Sequence, residues 1–338
     1  MPADIGIDLG TTKIIACDPT RGIVLREPNI VAVNNDSGEI LAIGSDAYKM
    51  LGRTPGYISA ICPMGDGVIS DYRLTNAIIR YALKKVCGET YLKPRVAVCI
   101  PSSITDVEQR AVVDGALSAG ARKVFLVEEP VAAAMGAGLD ISRPEGRLIV
   151  DIGGGTTDIA LLSLSGIVCK YSIKLAGNRF DEEVIKYVRA KHTLLIGQRM
   201  AEETKKAIGT CWGFEDERTF EVKGRNLRTG LPGRVTLTWQ ELSPLFSDLA
   251  EQLSIAVQKV FEKTPPELSG DVKSNGILMT GGGSRMHGLD TYFSHRFNLS
   301  CTVAENPEEC VAVGIGKTFG LSGYLRDCIS EGNERLHG

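Results

Sequence analysis

Three turns in this sequence combine glycine with groups suited to phosphate. Asp8-Leu-Gly-Thr-Thr12, Asp151-Ile-Gly-Gly-Gly-Thr-Thr157 and Gly281-Gly-Gly-Ser284 each follow an apolar run. Glycine lets a backbone approach an anion closely and adopt positive φ, so that successive amide protons converge on it. The hydroxyls of Thr11, Thr12, Thr156 and Thr157 add donors. Asp8 and Asp151 repel phosphate directly; carboxylates so placed hold water around a Mg²⁺ that bridges the phosphates. No Gly-x-x-x-x-Gly-Lys-Ser/Thr loop occurs, so this is not a P-loop protein. One such turn alone is an ordinary tight hairpin. Two matched Asp-x-Gly turns with a glycine triplet point to a nucleotide.

The surrounding elements repeat once. Residues 5–17 and 148–162 share an apolar strand, an Asp-x-Gly turn with paired threonines and a second apolar strand. The repeat predicts two related domains, each opening with the same β-hairpin. Around the hairpins, strand and helix signals alternate. Ile78, Ile79, Ala82, Leu83 and Val86 share one helical face, 95–100 reads as a buried strand, and Thr105 with Glu108 forms a capping box. A strand at 123–127 runs into a small-residue helix at 130–138. The second half offers helices near 178–191 and 198–208, and a capping box at Thr238 and Glu241 opens a long helix to about 263. A strand at 277–280 ends at the glycine triplet, and a short helix covers 311–319. This alternation predicts an α/β fold with mixed sheets. Segments 32–67 and 210–237 are richer in turns and read as smaller insertions.

Composition sets the bounds. A chain of 338 residues suits two domains, and 43% hydrophobic with 23% charged residues describes a folded protein. A net charge of −3 argues against a nucleic-acid partner held by bulk electrostatics. No apolar stretch approaches the ~20 residues of a membrane-spanning helix. The nine cysteines form no Cys-x-x-Cys pair and the four histidines are dispersed, so neither a disulfide framework nor a zinc site is expected. The expected location is the cytoplasm.

Together these residues resemble the actin, sugar-kinase and heat-shock chaperone ATPase superfamily and, within it, the MreB family of bacterial actins. The closer signals are Leu51-Gly-Arg-Thr-Pro-Gly56, Asp66-Gly-Val-Ile-Ser-Asp-Tyr72, Pro101-Ser-Ser-Ile-Thr-Asp-Val-Glu108 and Glu128-Glu-Pro-Val-Ala-Ala-Ala134. They continue through Leu194-Leu-Ile-Gly197, Gly230-Leu-Pro232, Thr264-Pro-Pro-Glu-Leu268 and Thr280-Gly-Gly-Gly283. The resemblance implies an actin-like fold of two related domains with mixed sheets flanked by helices and an ATP cleft between them. Domain I would take residues 1–145 and 311–338, with a subdomain at about 32–67. Domain II would take 146–310, with a subdomain at about 183–245.

Carried over position by position, the resemblance implies phosphate contacts from Asp8, Gly10, Thr11 and Thr12 and from Asp151, Gly153, Gly154, Gly155, Thr156 and Thr157, with Asp8 and Asp151 holding Mg²⁺ through water. Glu129 matches the residue that positions the attacking water; Glu128 is its rival. Asp151 and Thr157 would assist, although Thr157 also fits a plain turn-capping role. Glu202 and Lys205, at i and i+3 of a helix, would hold the ribose hydroxyls or form an exposed ion pair. Gly281, Gly282, Gly283 and Arg285 would border the adenine. Two departures stand out. Lys13 replaces the residue usual after the first turn, and either reaches a phosphate or faces solvent; Asp158 stands where glutamate is more usual.

The implied function is an ATP-hydrolysing cytoskeletal subunit that polymerises with itself, lies peripherally at the inner face of the cell membrane, guides wall-synthesis membrane proteins and sets rod shape. The first strand begins within a few residues of Met1, so membrane contact is expected through Tyr91 and Leu92, beside Lys93 and Arg95, unless those two pack on their own subdomain. The alternative is a soluble ATPase or kinase acting on a small molecule or client protein.

Overall fold

The computed structural model describes residues 3–88, 93–102, 104–320 and 329–331. In the first half, β1 (Asp4–Leu9), β2 (Lys13–Asp18) and β3 (Gly22–Pro28) form an antiparallel meander. A small sheet of β4 (Val31–Asn34), β5 (Ile40–Ile43) and β6 (Ile58–Ile61), with helix α1 (Ser45–Met50), follows. The hairpin β7 (Met64–Gly65) and β8 (Val68–Ile69) leads to α2 (Tyr72–Cys87), β9 (Arg95–Ile100), α3 (Asp106–Ser118), β10 (Lys123–Glu128) and α4 (Glu129–Gly136).

The second half restates the plan. A meander of β11 (Arg147–Ile152), β12 (Thr157–Ser163) and β13 (Gly166–Ile173) leads to α5 (Gly177–His192), β14 (Leu194–Leu195) and α6 (Gln198–Ile208). The hairpin β15 (Thr219–Asn226) and β16 (Pro232–Thr238) joins β14 in a small sheet. Then come α7 (Trp239–Phe261), α8 (Pro266–Asn275), β17 (Ile277–Thr280), a 3₁₀ turn at Gly282–Arg285, α9 (Leu289–Phe297) and β18 (Cys301–Val303). A second 3₁₀ turn at Pro307–Glu309 runs into α10 (Cys310–Thr318), and β19 (Ile329–Glu331) ends the described chain.

The repeat seen in the sequence is a repeat of topology. The first large sheet runs β19-β10-β9-β1-β2-β3 and the second β13-β12-β11-β17-β18. In each, the opening strand pairs antiparallel with the next strand and parallel with a later one, β1 with β9 and β11 with β17. The hairpin registers also correspond. Leu9 faces Ile14 and Ile152 faces Thr157, leaving a four-residue connection in both, with Asp8 and Asp151 one step back from the turn. Strands β1, β2, β11 and β12 are apolar on both faces because helices cover both, as the mixed pattern requires.

Three cores result. One lies on the outer face of the first sheet under α2 and α3, where Ile78 and Ile79 are fully buried; each contributes roughly 1.5–3 kcal/mol. Both expected capping boxes are formed, Thr105 with Glu108 and Thr238 with Glu241, which fixes where α3 and α7 begin. The second core fills the outer face of the second sheet under α5 and α7. The third lies between the sheets, where Ala97, Cys99 and Val127 of the first meet Ile149, Ala160 and Leu162 of the second around α4 and α10.

That third core explains the run of small residues from Pro130 onward. Helices α4 and α10 cross backbone to backbone: a side chain on Gly136 would overlap the Cys310 carbonyl, and one on Gly314 would overlap that of Ala132. Gly314→Ala is therefore expected to destabilise the fold by about 3 kcal/mol or more. A urea midpoint equal to that of the unaltered chain would show that the helices do not meet there.

Candidate functional site

The two hairpin turns face each other. A side chain added to Gly154 would strike the Thr12 side chain, and one on Gly155 would come within 2.7 Å of Thr11 Oγ1. The β7–β8 hairpin closes the same space, since a Cβ on Gly67 would lie 2.6 Å from Thr156 Cγ2. Gly67 N–H donates to Thr11 Oγ1 (3.3 Å). Gly10, Thr11, Thr12, Gly153, Gly154, Gly155 and Thr156 are thus brought to one place. The first turn is braced by Asn29, whose Nδ2 donates to Gly10 O (2.7 Å) and whose N–H donates to Thr12 O (2.9 Å). The second is closed by Gly153 N–H on Thr156 O (2.9 Å) and abuts the start of α5, where Gly177 and Asn178 donate to the carbonyls of Gly153 and Gly154. Gly281 holds φ at +80° and its N–H donates to Pro307 O (2.8 Å), so the glycine triplet sits against the ends of β11 and the second 3₁₀ turn.

Behind the turns lie four carboxyl groups. Asp8 and Asp151 occupy equivalent places on β1 and β11; Asp158, fully buried, is the register partner of Asp151; Glu129 begins α4. Burial pushes Asp8 up to about 7, with the Asp151 charge adding to it. Burial likewise pushes Asp151 up to about 7, the Asp158 charge outweighing nothing more than part of the help from Thr280, whose Oγ1 donates to Asp151 Oδ1 at 2.6 Å. Glu129 is driven well above the usual carboxylate range by burial and by Asp158, Asp151 and Asp8. Asp158 is also raised by burial, although the Ser102 N–H donates to its Oδ1 (3.0 Å). Four carboxyls, each short of positive charge, form a strong cation-attracting environment. Among the described residues no three His, Cys, Asp or Glu side chains converge closely enough to bind a metal ion directly. The donors present, carboxylate and hydroxyl oxygens, are of the kind that a hard cation such as Mg²⁺ prefers.

Glu128, the rival to Glu129, pairs with Lys170 of β13. Thr157 is fully buried and its Oγ1 donates to Leu175 O (2.6 Å), so its hydroxyl has acceptor capacity left but no free proton.

The cationic residues have ion-pair partners that their local sequence does not indicate, and Lys13 is more than half exposed, in keeping with its solvent-facing alternative. Lys13 neither reaches the turn residues nor stands free: its Nζ pairs with Glu308. Arg285, half exposed, lies 3.8 Å from the same carboxylate. Glu202 and Lys205 do not pair with each other. Glu202 takes Lys206 (2.6 Å), whereas Lys205 is largely buried and binds Asp181 Oδ1 (2.8 Å) and Gly177 O (2.8 Å) at the start of α5. Burial raises Asp181 to about 6 despite Lys205. Tyr91 and Leu92 lie outside the described residues. Sequence reasoning missed Asn29, Thr280, Asp181 and Glu308; of these only Thr280, adjoining the glycine triplet, carried a local signal.

Residues 2–322 match the family described as MreB/Mbl protein. The chain is 44% identical over 314 residues to the cell shape-determining protein Mbl of Bacillus cereus, covering 93% of this chain and 94% of that protein. It is 43% identical over 322 residues to the cell shape-determining protein MreB of Escherichia coli K12, covering 94% and 93%. In structure it is similar to MreB5 of Spiroplasma citri bound to ADP, with a TM-score of 0.91 and 34% identity across 100% of this chain and 99% of that one. The same protein bound to AMPPNP gives 0.90 and 36% across 95% and 98%. Matched in sequence over residues 2–322 and sharing the two-sheet architecture around its paired turns, the chain belongs to the MreB/Mbl family and has the actin-like fold.

Proposed function

We propose that this chain binds ATP with Mg²⁺ between its two large sheets, hydrolyses it slowly and polymerises into filaments that lie against the cell membrane and organise wall synthesis. The observation that carries the reading is the pair of matched turns, Gly10–Thr12 and Gly153–Thr156, packed face to face in front of four carboxyls. Their amides and hydroxyls suit a polyphosphate, and MreB5 of Spiroplasma citri was solved with both AMPPNP and ADP. Domain I would comprise 1–145 and 311–338 and domain II 146–310; the packing of α10 against β1 and α4 supports returning the last helix to the first domain.

Asp8 and Asp151 are the residues that would hold Mg²⁺ through water. When bound, the ion supplies the positive charge that the carboxyl cluster lacks. Glu129 orients the attacking water and accepts its proton, held in place by its contact with Asp158, while Thr157 accepts a hydrogen bond from the same water. Lys205 serves by anchoring α5, through Asp181 and Gly177, against the second turn rather than by meeting the ribose itself. Glu202 remains available to the ribose from the exposed side of α6.

Polymerisation follows from a head-to-tail contact whose operator does not close. Tyr91 and Leu92 would give each subunit a weak apolar anchor, multiplied along a filament by avidity. Among the described residues no helix is long and apolar enough to cross a membrane. The test is sedimentation of the full chain with and without Mg-ATP and anionic liposomes, followed by negative-stain imaging. ATP-dependent filaments that co-pellet with lipid are expected; nucleotide turnover without filaments under any of these conditions would favour a soluble enzyme.

A further inference from the structure

One carboxylate lies where three separate segments meet. Glu308, in the 3₁₀ turn that carries the chain from the second sheet back to α10, receives Lys13 from the first residue of β2 and Arg285 from the turn after β17. It stands directly over the glycine triplet, since a Cβ on Gly282 would lie 3.5 Å from Glu308 Cγ. The same turn is tied to the second sheet by Gly281 N–H on Pro307 O and to the first by Arg26 Nε on Glu309 Oε1 (2.7 Å). Lys206 of α6 adds its field to Glu308. Lys13 belongs to the first sheet and Arg285 to the second, so any motion that parts the first turn from the glycine triplet must stretch the Lys13–Glu308–Arg285 chain.

Resting on the nucleotide reading above, we propose that Glu308 is a positioning residue: its carboxylate, shared between Lys13 and Arg285, straps the two sheets together beside the nucleotide and slows nucleotide release. The strap also explains why Lys13 is turned away from the turns it follows. Its partner is a fixed carboxylate at the rim, so its charge holds the site closed instead of meeting phosphate. Lys13 and Arg285 are each more than half exposed, and exposed pairs are individually weak and screened by salt. The strap should therefore act by a few-fold and lose its grip as ionic strength rises.

The experiment is displacement of a fluorescent N-methylanthraniloyl-ADP from the full chain with Mg²⁺, at salt concentrations between about 50 and 300 mM. The unaltered chain should release nucleotide faster as salt increases. Glu308→Gln should release it about fivefold faster at low salt and show a nearly flat salt dependence. Lys13→Met should do the same, and the double variant should be no faster than either single one, because all three remove one connection. A merely structural loss would not abolish the salt dependence. Release from Glu308→Gln that is unchanged at both salts overturns the strap. So does slower release, which would mean that freed Lys13 serves the phosphates. If the unaltered chain binds no labelled nucleotide, the nucleotide reading fails and the strap with it.

Discussion

Glu129→Gln is expected to lower single-turnover phosphate release by about 10²-fold or more while leaving nucleotide binding within a few-fold of the unaltered chain. The amide keeps the size and can still touch Asp158, but it cannot take a proton from water. Geometry makes Glu129 the choice over Glu128, which is spent on Lys170. Burial first, and then Asp158, Asp151 and Asp8, raise the proton affinity of Glu129 well above that of an ordinary carboxylate. A carboxylate with raised affinity is the better base once ionised, which suits a residue that works only when the site is filled. Phosphate release at the normal rate from Glu129→Gln would remove it from the mechanism. Loss of binding together with release would instead make it a structural member of the cluster.

Asp151→Asn is expected to have opposite effects on stability and function. Burial raises Asp151 from 3.8 to about 7. Between those values the folded state keeps a proton that the unfolded chain has lost, so stability falls as pH rises through this window. Above about 7 the whole penalty is present. A shift of this size corresponds to at most roughly 4 kcal/mol, and relaxation of the cluster makes about 2 kcal/mol a fairer expectation. The asparagine carries no charge and can still accept from Thr280. The variant should therefore be more stable than the unaltered chain at pH 8 by about 2 kcal/mol, with the advantage nearly gone at pH 4. It should also lose most of the stabilisation that Mg-ATP gives the unaltered protein. Urea melts at the two pH values, with and without Mg-ATP, measure both effects. An equal stability difference at both pH values would show that Asp151 is not held short of charge.

How much of this was legible in the sequence depended on whether the cause was local. The paired turns could be read because glycine, aspartate and threonine must all fall within a few residues to make them, and both formed with matching register. The capping boxes at Thr105 and Thr238 were legible for the same reason. The ion-pair partners of Lys13 and Lys205 could not be read because they are distant in the chain: Glu308 lies at the far end, and Asp181 meets Lys205 only after α5 packs against α6. A glutamate in Pro-Glu-Glu carries no mark of what it will pair with. Asn29 looks like an ordinary loop residue, and only the folded meander shows that it closes the first turn. The small residues from Val131 to Gly136 marked a helix, but the reason for their size was another helix 170-odd positions later in the sequence.

The crossing of α4 and α10 has a mechanical consequence. Side-chain interfaces have rotamers and can slip from one packing to another, whereas two backbones in direct contact at Gly136 and Gly314 have none to exchange. Sliding is resisted by the carbonyls of Ala132 and Cys310 on either side. Because α4 and α10 lie in the core shared by both sheets, their crossing gives the two sheets one fixed surface to pack against. A subunit whose centre cannot repack presents the same shape in every copy, which is what anything built by repetition requires.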